Sequence, residues 1–216
     1  FREFSRANGE AIEGFFDPLL WFLIWLEKVL VATPWPIILL VVAGLAYLGS
    51  RSWKLAVGSM LSFALIGYFG MWEDTMSTIA LISVATLLCI LIGMPLGIWM
   101  AKSDRVQAII TPILDVMQTI PIFVYLLPVL MLLGIGKVPG LIAVCVYAMP
   151  PMVRLTNLGI RLVDRDVLEA ANAFGANDKQ KLFGVQIPLA LPNIFAGINQ
   201  TIMMALAMVV IASMIG

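Results

Sequence analysis

The sequence predicts an all-α fold, that of a polytopic helical membrane protein. Apolar residues make up 62% of the 216 residues and charged residues only 12%, against about 45–50% and about 25% in soluble domains. Several uncharged runs approach the ~20 apolar residues that a helix needs to cross a bilayer. These runs lack the period-2 alternation of membrane β-strands, so helices are expected to satisfy the backbone hydrogen bonds within the lipid.

The elements are predicted to follow one another as a short outer segment and a transmembrane domain. Residues 1–28 form an extracytoplasmic tail and an interfacial helix, which starts with Asp17 as N-cap and Pro18 at the first helical position. A true span over residues 17–32 is the alternative. Residues 29–216 form the transmembrane domain. Its predicted spans lie at about 29–50, 55–72, 75–101, 116–136, 138–153 and 192–216.

Prolines are predicted to shape these spans. Pro34 and Pro36 open the first span, and the first two spans form a tight hairpin around Arg51. Pro95 should kink the third span, because proline removes a backbone hydrogen bond, and the fifth span should end at the proline pair 150–151. Proline-interrupted membrane helices often line a cavity for a solute; simple kinks filled by neighbouring helices are the alternative.

Basic residues predict the orientation of the chain in the membrane. Most of the Lys and Arg residues fall in alternating connections, which can all face one side, and the positive-inside rule makes that side the cytoplasm. These residues are Arg51, Lys54, Lys102, Arg105, Arg154, Arg161, Arg165, Lys179 and Lys181. Lys137 is the exception. The amino-terminal tail is then expected outside, and the protein is expected to be a multi-pass protein of the cell (inner) membrane.

Composition argues against several classes of function. The net charge is zero, so no basic field favours a nucleic acid. The sequence has no histidine, which removes the commonest metal ligand and acid–base catalyst, and it has no Gly-x-x-x-x-Gly-Lys-Ser/Thr phosphate loop. Cys89 and Cys145 lie within apolar runs and are expected to be buried. We therefore predict no catalytic residue, no metal site and no cofactor in this chain.

The polar loop over residues 154–187 predicts a short docking helix. Asp166 and Glu169 have the spacing of a capping box, and Gly175 fits the left-handed C′ position that ends a helix. The helix would cover about Val167–Phe174 and be too short to be stable alone. A second helix, about 179–186, would start at Asn177 or Asp178 and end near Pro188.

The predicted docking helix carries one apolar face. Val167, Ala170, Ala171 and Phe174 recur at i, i+3, i+4 and i+7, which places them together on a helix. The alanines allow a partner's backbone to approach closely, and Phe174 can insert as a knob. We therefore predict a plug that seats in a groove of another protein; a solvated loop without a partner is the alternative.

The same loop resembles a known signature. Glu169-Ala170-Ala171, then Gly175, then Val185-Gln186-Ile187-Pro188 is similar to the EAA motif of ABC-importer permeases. Further stretches at 93–98, 115–125, 134–140, 150–156 and 198–215 resemble the permease subunits of glycine betaine/proline betaine importers of the ProU type. The resemblance covers roughly residues 70–216.

This resemblance implies a fold, a function and a set of partners. The fold would be the ABC-importer type I-like transmembrane domain, and the chain would be a non-catalytic permease for glycine betaine/proline betaine-like compatible solutes. Partners would be two ATPase subunits that hold ATP and Mg2+, a second permease copy, and a periplasmic or lipid-anchored substrate-binding protein. Alternatives are a permease for choline, carnitine or an amino acid, an ion-coupled secondary carrier, and a non-transport scaffold.

Two sets of candidate site residues follow. The residues that would couple the permease to the ATPase are Val167, Glu169, Ala170, Ala171, Phe174 and Gly175. Aromatic faces can hold a quaternary ammonium by cation–π attraction of about 0.5–2 kcal/mol each. The candidates for such a substrate path are Trp99, Phe123, Tyr125 and Tyr147; ordinary packing or lipid contact is the alternative for each of them.

Overall fold

The computed structural model describes residues 2–133 and 136–213, without the side chains of residues 2–16, 122, 123, 125, 126, 132, 133, 212 and 213. The ends of two predicted spans, at 134–135 and 214–216, lie outside the described residues. The described part is helical and contains no strand. Its helices are α1 Arg2–Ala32, α2 Trp35–Ser50, α3 Trp53–Tyr68, α4 Trp72–Lys102, α5 Asp104–Thr119, α6 Ile122–Leu133, α7 Lys137–Arg161, α8 Arg165–Ala173, α9 Asp178–Lys181 and α10 Ile187–Ser213.

One compact unit comprises residues 14–81. Helix α1 begins at Arg2 and runs through Pro18, so the predicted helix start at Asp17 is wrong. Pro18 removes one backbone hydrogen bond from the helix, but residues 2–17 before it are helical as well. The chain bends by 104° between Asp17–Ala32 and Trp35–Ser50, and the two pieces together are apolar enough for a broken span or a re-entrant loop. The predicted span 29–50 is therefore not one straight helix.

The hairpin predicted at Arg51 is confirmed. Arg51 adopts the left-handed conformation at φ 54° and ends α2, and its N–H donates to the Tyr47 carbonyl over 2.7 Å. Trp53 begins α3, and its ring lies 5.5 Å from the ring of Tyr47. This ring contact across the turn stabilises the antiparallel pairing of α2 with α3.

A second unit contains residues 82–216 and is organised around α7. Cβ atoms built at Gly93 and Gly97 of α4 would lie 3.1 Å from Met152 and 2.7 Å from Thr156 of α7. Both contacts join residues 59 positions apart, so α4 and α7 run parallel. Small residues allow helix backbones in membranes to approach closely. We call this contact the glycine seam, formed by Gly93 and Gly97 against α7.

Helix α10 packs against α7 in the opposite direction. A Cβ at Gly159 of α7 would lie 2.7 Å from Asn193, whereas one at Gly197 of α10 would lie 3.5 Å from Met152. Residue numbers at the contacts therefore decrease along α10 as they increase along α7, so the two helices run antiparallel. Met152 and Ile160 of α7 form a buried cluster with α10, joined there by Ala190 and Ile194.

Three prolines do not end helices as predicted. Helix α7 continues through the pair 150–151 to Arg161, because both prolines are buried and packing offsets the lost hydrogen bonds. Pro188 lies inside a helical stretch that runs over Asp178–Ile211. A π-helical turn, Leu182–Gln186, precedes it, and the Ile187 N–H donates to the Leu182 carbonyl. This wider turn carries the helix through Pro188.

The predicted span 116–136 is broken. Helix α5 ends at Thr119, and Ile120 is extended at φ −70° and ψ 131°, because the residue before Pro121 disfavours helical geometry. Three described helices are long and apolar enough to cross a membrane, or up to four if the bent pair is one span. They cover Trp72–Lys102, Lys137–Arg161 and Asp178–Ile211.

Candidate functional site

The ends of α4 and α7 meet the start of α5 through one arginine. Arg161 donates from Nη2 to the Met100 carbonyl over 2.9 Å and to Asp104 Oδ1 over 2.8 Å. Its Nε donates to Asn157 Oδ1 over 3.1 Å, within α7. One planar guanidinium with several fixed donors can hold such an arrangement. Three helix ends are therefore tied together at one end of the unit.

A second ion pair joins α5 to α7. Arg154 Nη2 donates to Asp115 Oδ1, and because Asp104 pairs with Arg161 near the other end, α5 runs antiparallel along α7. Both pairs are partly exposed, so each contributes little to stability by charge alone. Their role in this geometry is to fix the register of α5 on α7.

Arg161 gives a first test of this arrangement. We expect Arg161→Ala to lower the free energy of unfolding by about 1–2 kcal/mol, because it removes hydrogen bonds to a carbonyl and a carboxylate from a side chain that is 33% exposed. Arg161→Lys should recover only part of the lost stability, since a single ammonium group cannot make all the hydrogen bonds of the planar guanidinium. Thermal unfolding of the purified protein measures both. The exposed Arg105→Ala is the control and should be near neutral; equal losses at both positions would contradict the assignment.

The predicted docking helix is present as α8, with a different start. Asp164 is its N-cap, and the Asp164 side chain accepts from the Asp166 N–H over 2.9 Å. The predicted capping box with Asp166 as N-cap is therefore wrong. The helix begins two residues earlier than that box requires, because Asp164 already occupies the extended geometry of a cap.

The carboxyl end of α8 follows the prediction. Gly175 adopts φ +78°, its N–H donates to the Asn172 carbonyl over 2.9 Å, and the Ala176 N–H donates to the Ala171 carbonyl over 3.0 Å. This pair of bonds is a Schellman motif with Gly175 at C′. The turn fixes where Phe174 stands relative to the rest of the helix.

The apolar face of α8 is largely uncovered by the chain itself. Phe174 is 92% exposed and Val167 is 41% exposed, and Ala170 and Glu169 are also exposed, whereas Ala171 is half-buried. No residue of α8 is buried. Exposed apolar groups gathered on one helix mark an interaction surface. We call Val167, Ala170 and Phe174 the docking face.

The opposite side of α8 borders a polar cavity of about 360 Å³. Leu168 and Asn172 line it from α8, and residues at the base of the α9–α10 stretch line the far side. Lys181 pairs there with Asp178 over 2.9 Å. Because Lys102 at the end of α4 also lines the cavity, α8 lies beside the gathered ends of α4 and α10.

The start of α9 is tightly capped. The Gln180 N–H donates to Asn177 Oδ1, and the Asn177 N–H donates to Gln180 Oε1, each over 2.9 Å. The prediction that the second helix begins at Asn177 or Asp178 is thus confirmed, and its predicted end near Pro188 is wrong. Reciprocal capping makes the junction between α8 and α10 a defined turn.

The two aromatic candidates with described side chains, Trp99 and Tyr147, lie apart. Trp99 of α4 is 59% exposed, and Tyr147 of α7 is half-buried. The parallel register of 59 positions puts Tyr147 level with Leu88, eleven residues from Trp99, which is about 16 Å along the helix axis. Phe123 and Tyr125 lie on α6, and their side chains are outside the described residues. Their role in a substrate path stays a prediction.

Other candidates are placed as follows. Both cysteines are buried, as predicted, and Cys89 Sγ lies 3.6 Å from the Cys145 carbonyl. Among the described residues, no group of three or more His, Cys, Asp or Glu is arranged to hold a metal.

The sequence reasoning missed the glycine seam, although Gly93 and Gly97 form a Gly-x-x-x-Gly pattern in an apolar run. It also missed the Arg161 cluster, because a pairing between distant helices leaves no local pattern.

Comparison with known proteins agrees with this architecture. Residues 93–216 match the profile of a family described as "Binding-protein-dependent transport system inner membrane component". The match begins at the glycine seam and includes α8 and its docking face.

Individual relatives are similar over most of the chain. The "Glycine betaine/proline betaine transport system permease protein ProW" of Escherichia coli (strain K12) is 48% identical over 203 residues, which is 94% of this chain and 57% of that protein. The "Glycine betaine/carnitine transport permease protein GbuB" of Listeria monocytogenes serotype 1/2a is 44% identical over 218 residues, which is 100% of this chain and 75% of that protein. The "Glycine betaine transport system permease protein OpuAB" of Bacillus subtilis (strain 168) is 49% identical over 162 residues, which is 75% of this chain and 57% of that protein. The chain spans about half the length of several of these relatives, such as ProW.

Proposed function

Because the chain belongs to the family of binding-protein-dependent transport system inner membrane components, we propose that it is the membrane-spanning, non-catalytic subunit of an ATP-driven importer. The observation that carries this proposal is the docking face. Phe174 stands 92% exposed at the end of a short helix whose cap is fully formed. A separate ATPase that binds this helix would bury Phe174 and would supply the driving force for transport.

The proposed solute class is glycine betaine, proline betaine and similar compatible solutes. It rests on the names of relatives that are 44–53% identical. A carnitine or choline permease is the second candidate, because relatives named for carnitine alone and for choline alone are 33% and 34% identical over shorter stretches. An external receptor that delivers the solute would decide between these candidates.

The helix contacts suggest how motion would spread through the chain. α8 lies against the start of the stretch that continues as α10, and α10 packs along α7. α7 in turn is joined to α4 by the glycine seam and to the ends of α4 and α5 by Arg161. Closure of an ATPase pair on two such subunits would therefore move packed helices together and switch access from one side of the membrane to the other. Such a switch needs a differential affinity of several kcal/mol, about 5 kcal/mol for a nearly complete shift.

We propose the following assembly and orientation. Two copies of the chain, two ATPases that bind ATP and Mg2+, and an external substrate-binding protein form the importer. The basic end that contains Lys102, Arg161 and Lys181 faces the cytoplasm, in keeping with the positive-inside rule, and the amino-terminal tail lies outside. Val167, Glu169, Ala170, Ala171, Phe174 and Gly175 are the proposed coupling residues.

Site-directed crosslinking tests the coupling proposal. Ala170→Cys places a thiol on the exposed docking face, while the native Cys89 and Cys145 are buried and should stay unreactive. We expect a bifunctional maleimide to link this thiol to the ATPase in membranes that hold the whole importer. Ala32→Cys, exposed at the end of α1, is the control and should be labelled only from outside. Failure to capture any ATPase from Ala170, or labelling of Ala170 from outside, would refute the proposal.

Transport of the solute needs a separate assay. The chain is reconstituted with the ATPase and receptor, and uptake of labelled glycine betaine is followed. We expect vanadate to abolish uptake and an ionophore to leave it unchanged. The reverse pattern would identify an ion-coupled carrier, and uptake of carnitine alone would overturn the solute class while leaving the coupling proposal in place.

A further inference from the structure

Helix α5 carries a polar edge on one side of its packed face and an apolar edge on the other. Leu114 is buried at the centre of the packed face. The apolar edge holds Ile109, Ile113 and Val116, which are 66%, 53% and 51% exposed. On the other side, five polar residues recur at i, i+3, i+7, i+11 and i+14, which aligns them along the helix. We call them, together with Arg154 of α7, the polar edge: Asp104, Gln107, Thr111, Asp115 and Gln118.

The polar edge extends from the basic end of the unit into the membrane-spanning part. Arg161 is hydrogen-bonded to the end of α4, where the uncharged run 75–101 stops. Arg154 precedes Arg161 by seven residues, which places it about 10 Å further along α7. Asp115 follows Asp104, another partner of Arg161, by eleven residues, or about 16 Å. The Arg154–Asp115 pair therefore lies within the ~30 Å hydrocarbon core.

This ion pair is not covered by the chain itself. The Arg154 side chain is 39% exposed and the Asp115 side chain is 54% exposed. Ionisable residues at such a depth face water-filled cavities or other protein rather than lipid, because a charge in hydrocarbon is costly. The surface that holds the pair must therefore border water or another protein.

The composition of the polar edge favours water. Helix contacts in membranes use small residues that let backbones approach closely, as the glycine seam does. The polar edge instead presents the long side chains of Gln107 and Gln118 beside an ion pair. Burial of paired charges in a protein contact is repaid only when their hydrogen bonds are complete, and Arg154 Nε has no acceptor among the described residues. The pair is thus poorly suited to a dry interface.

We infer that the polar edge is a wall of the water-filled solute path, with Arg154 and Asp115 as the charged groups at its inner part. The inference rests on the proposed transport function and places the path on residues outside the docking face. A polar solute that moves along this wall exchanges its hydrating water for amide, hydroxyl and charged groups. Such an exchange avoids the cost of burying polar groups without hydrogen bonds.

Thiol accessibility tests the contact with water. Thr111→Cys and Gln118→Cys place a thiol on the polar edge at two depths, and Ile113→Cys and Val116→Cys are the matched controls. Each control lies two residues from its counterpart and points about 160° away from it on the helix, although both control residues are more than half exposed. The two native cysteines are buried, so the original chain gives the background. Membrane fragments that hold the whole importer are treated with a charged methanethiosulfonate, which then reaches both faces.

We expect the two thiols on the polar edge to react at least about tenfold faster than their controls, because the thiolate is the reactive form and apolar surroundings suppress it. Equal rates within both pairs would overturn the inference. Reaction of Thr111→Cys without reaction of Gln118→Cys would overturn the place given to the ion pair, since water would stop short of it. Absence of reaction at both positions would also overturn the inference, and a disulfide that joins two copies there would identify a second copy as the cover.

Uptake distinguishes a solute path from a water-filled pocket. In reconstituted vesicles, modification of Gln118→Cys should abolish uptake of the labelled solute, because the added sulfonate group obstructs the path. Val116→Cys, treated in the same way, should keep its uptake. Unchanged uptake after complete modification of Gln118→Cys would overturn the inference. The labelling needs no contact with the ATPase, so its failure would leave the Ala170 crosslink and the proposed coupling untouched, and failure of that crosslink would leave the labelling result valid.

Discussion

We expect Gly97→Ala to destabilise the protein by about 1–3 kcal/mol, the usual cost of adding a methylene to a well-packed contact. A Cβ at this position would lie 2.7 Å from Thr156 Cβ and 2.7 Å from the Val153 carbonyl oxygen. The carbonyl belongs to the α7 backbone and cannot rotate away, so the two helices must separate. Thermal unfolding in detergent, followed by size-exclusion chromatography, measures the effect.

Gly58→Ala is the matched control for this prediction. Gly58 lies within α3, and a Cβ there would meet nothing within 4 Å. Alanine in a helix interior is favoured over glycine by about 0.5–1 kcal/mol, so this variant should be slightly more stable than the original. The two substitutions add the same methyl group and should change stability in opposite directions. A Gly97→Ala protein as stable as Gly58→Ala would show that the glycine seam is not formed.

The largest functional effect is expected at Gly175. Its φ of +78° is a conformation that β-branched residues rarely adopt, so Gly175→Val should break the Schellman turn and displace Phe174. We expect uptake by the reconstituted importer to fall at least about tenfold while ATP hydrolysis persists, which corresponds to a loss of about 1.4 kcal/mol or more in coupling. Uptake and hydrolysis are measured in the same vesicles.

Two further variants separate backbone geometry from a general effect on the loop. Gly175→Asn should retain most of the uptake, because asparagine tolerates the left-handed conformation. Ala173→Val places the same side chain on α8 at an exposed residue that is not among the proposed coupling residues, and should transport normally. Normal coupled uptake by Gly175→Val would remove the role proposed for the docking face.

Local signals in the sequence predicted the features that depend on local chemistry. The turn at Gly175 follows from the left-handed geometry that glycine accepts, and the start of α9 follows from the side chain of Asn177, which can cap its own turn. The helical class follows from composition, because uncharged runs in lipid must pair their own backbone groups. None of these features needs a contact between distant parts of the chain.

Features that depend on packing were not predictable in this way. The prolines at 150–151 and Pro188 were expected to end helices, yet burial of the first two and a π-helical turn before the third let the helices continue through them. The capping box at Asp166 was a reasonable pattern, but Asp164 is an equally good cap, and Val163, which is buried, precedes it directly. The carboxylate partners of Arg154 and Arg161 both lie on α5 and could be identified only from the fold.

The helix that begins at Asp178 and continues to Ile211 has a mechanical consequence. Its 34 residues span about 51 Å at 1.5 Å per residue, and the π-helical turn lies near its beginning. It can therefore act as a long lever arm with its fulcrum beside α8. The part beyond the π-helical turn, residues 187–211, is about 37 Å long, so a rotation of about 10° at that turn would move its far end by about 6 Å.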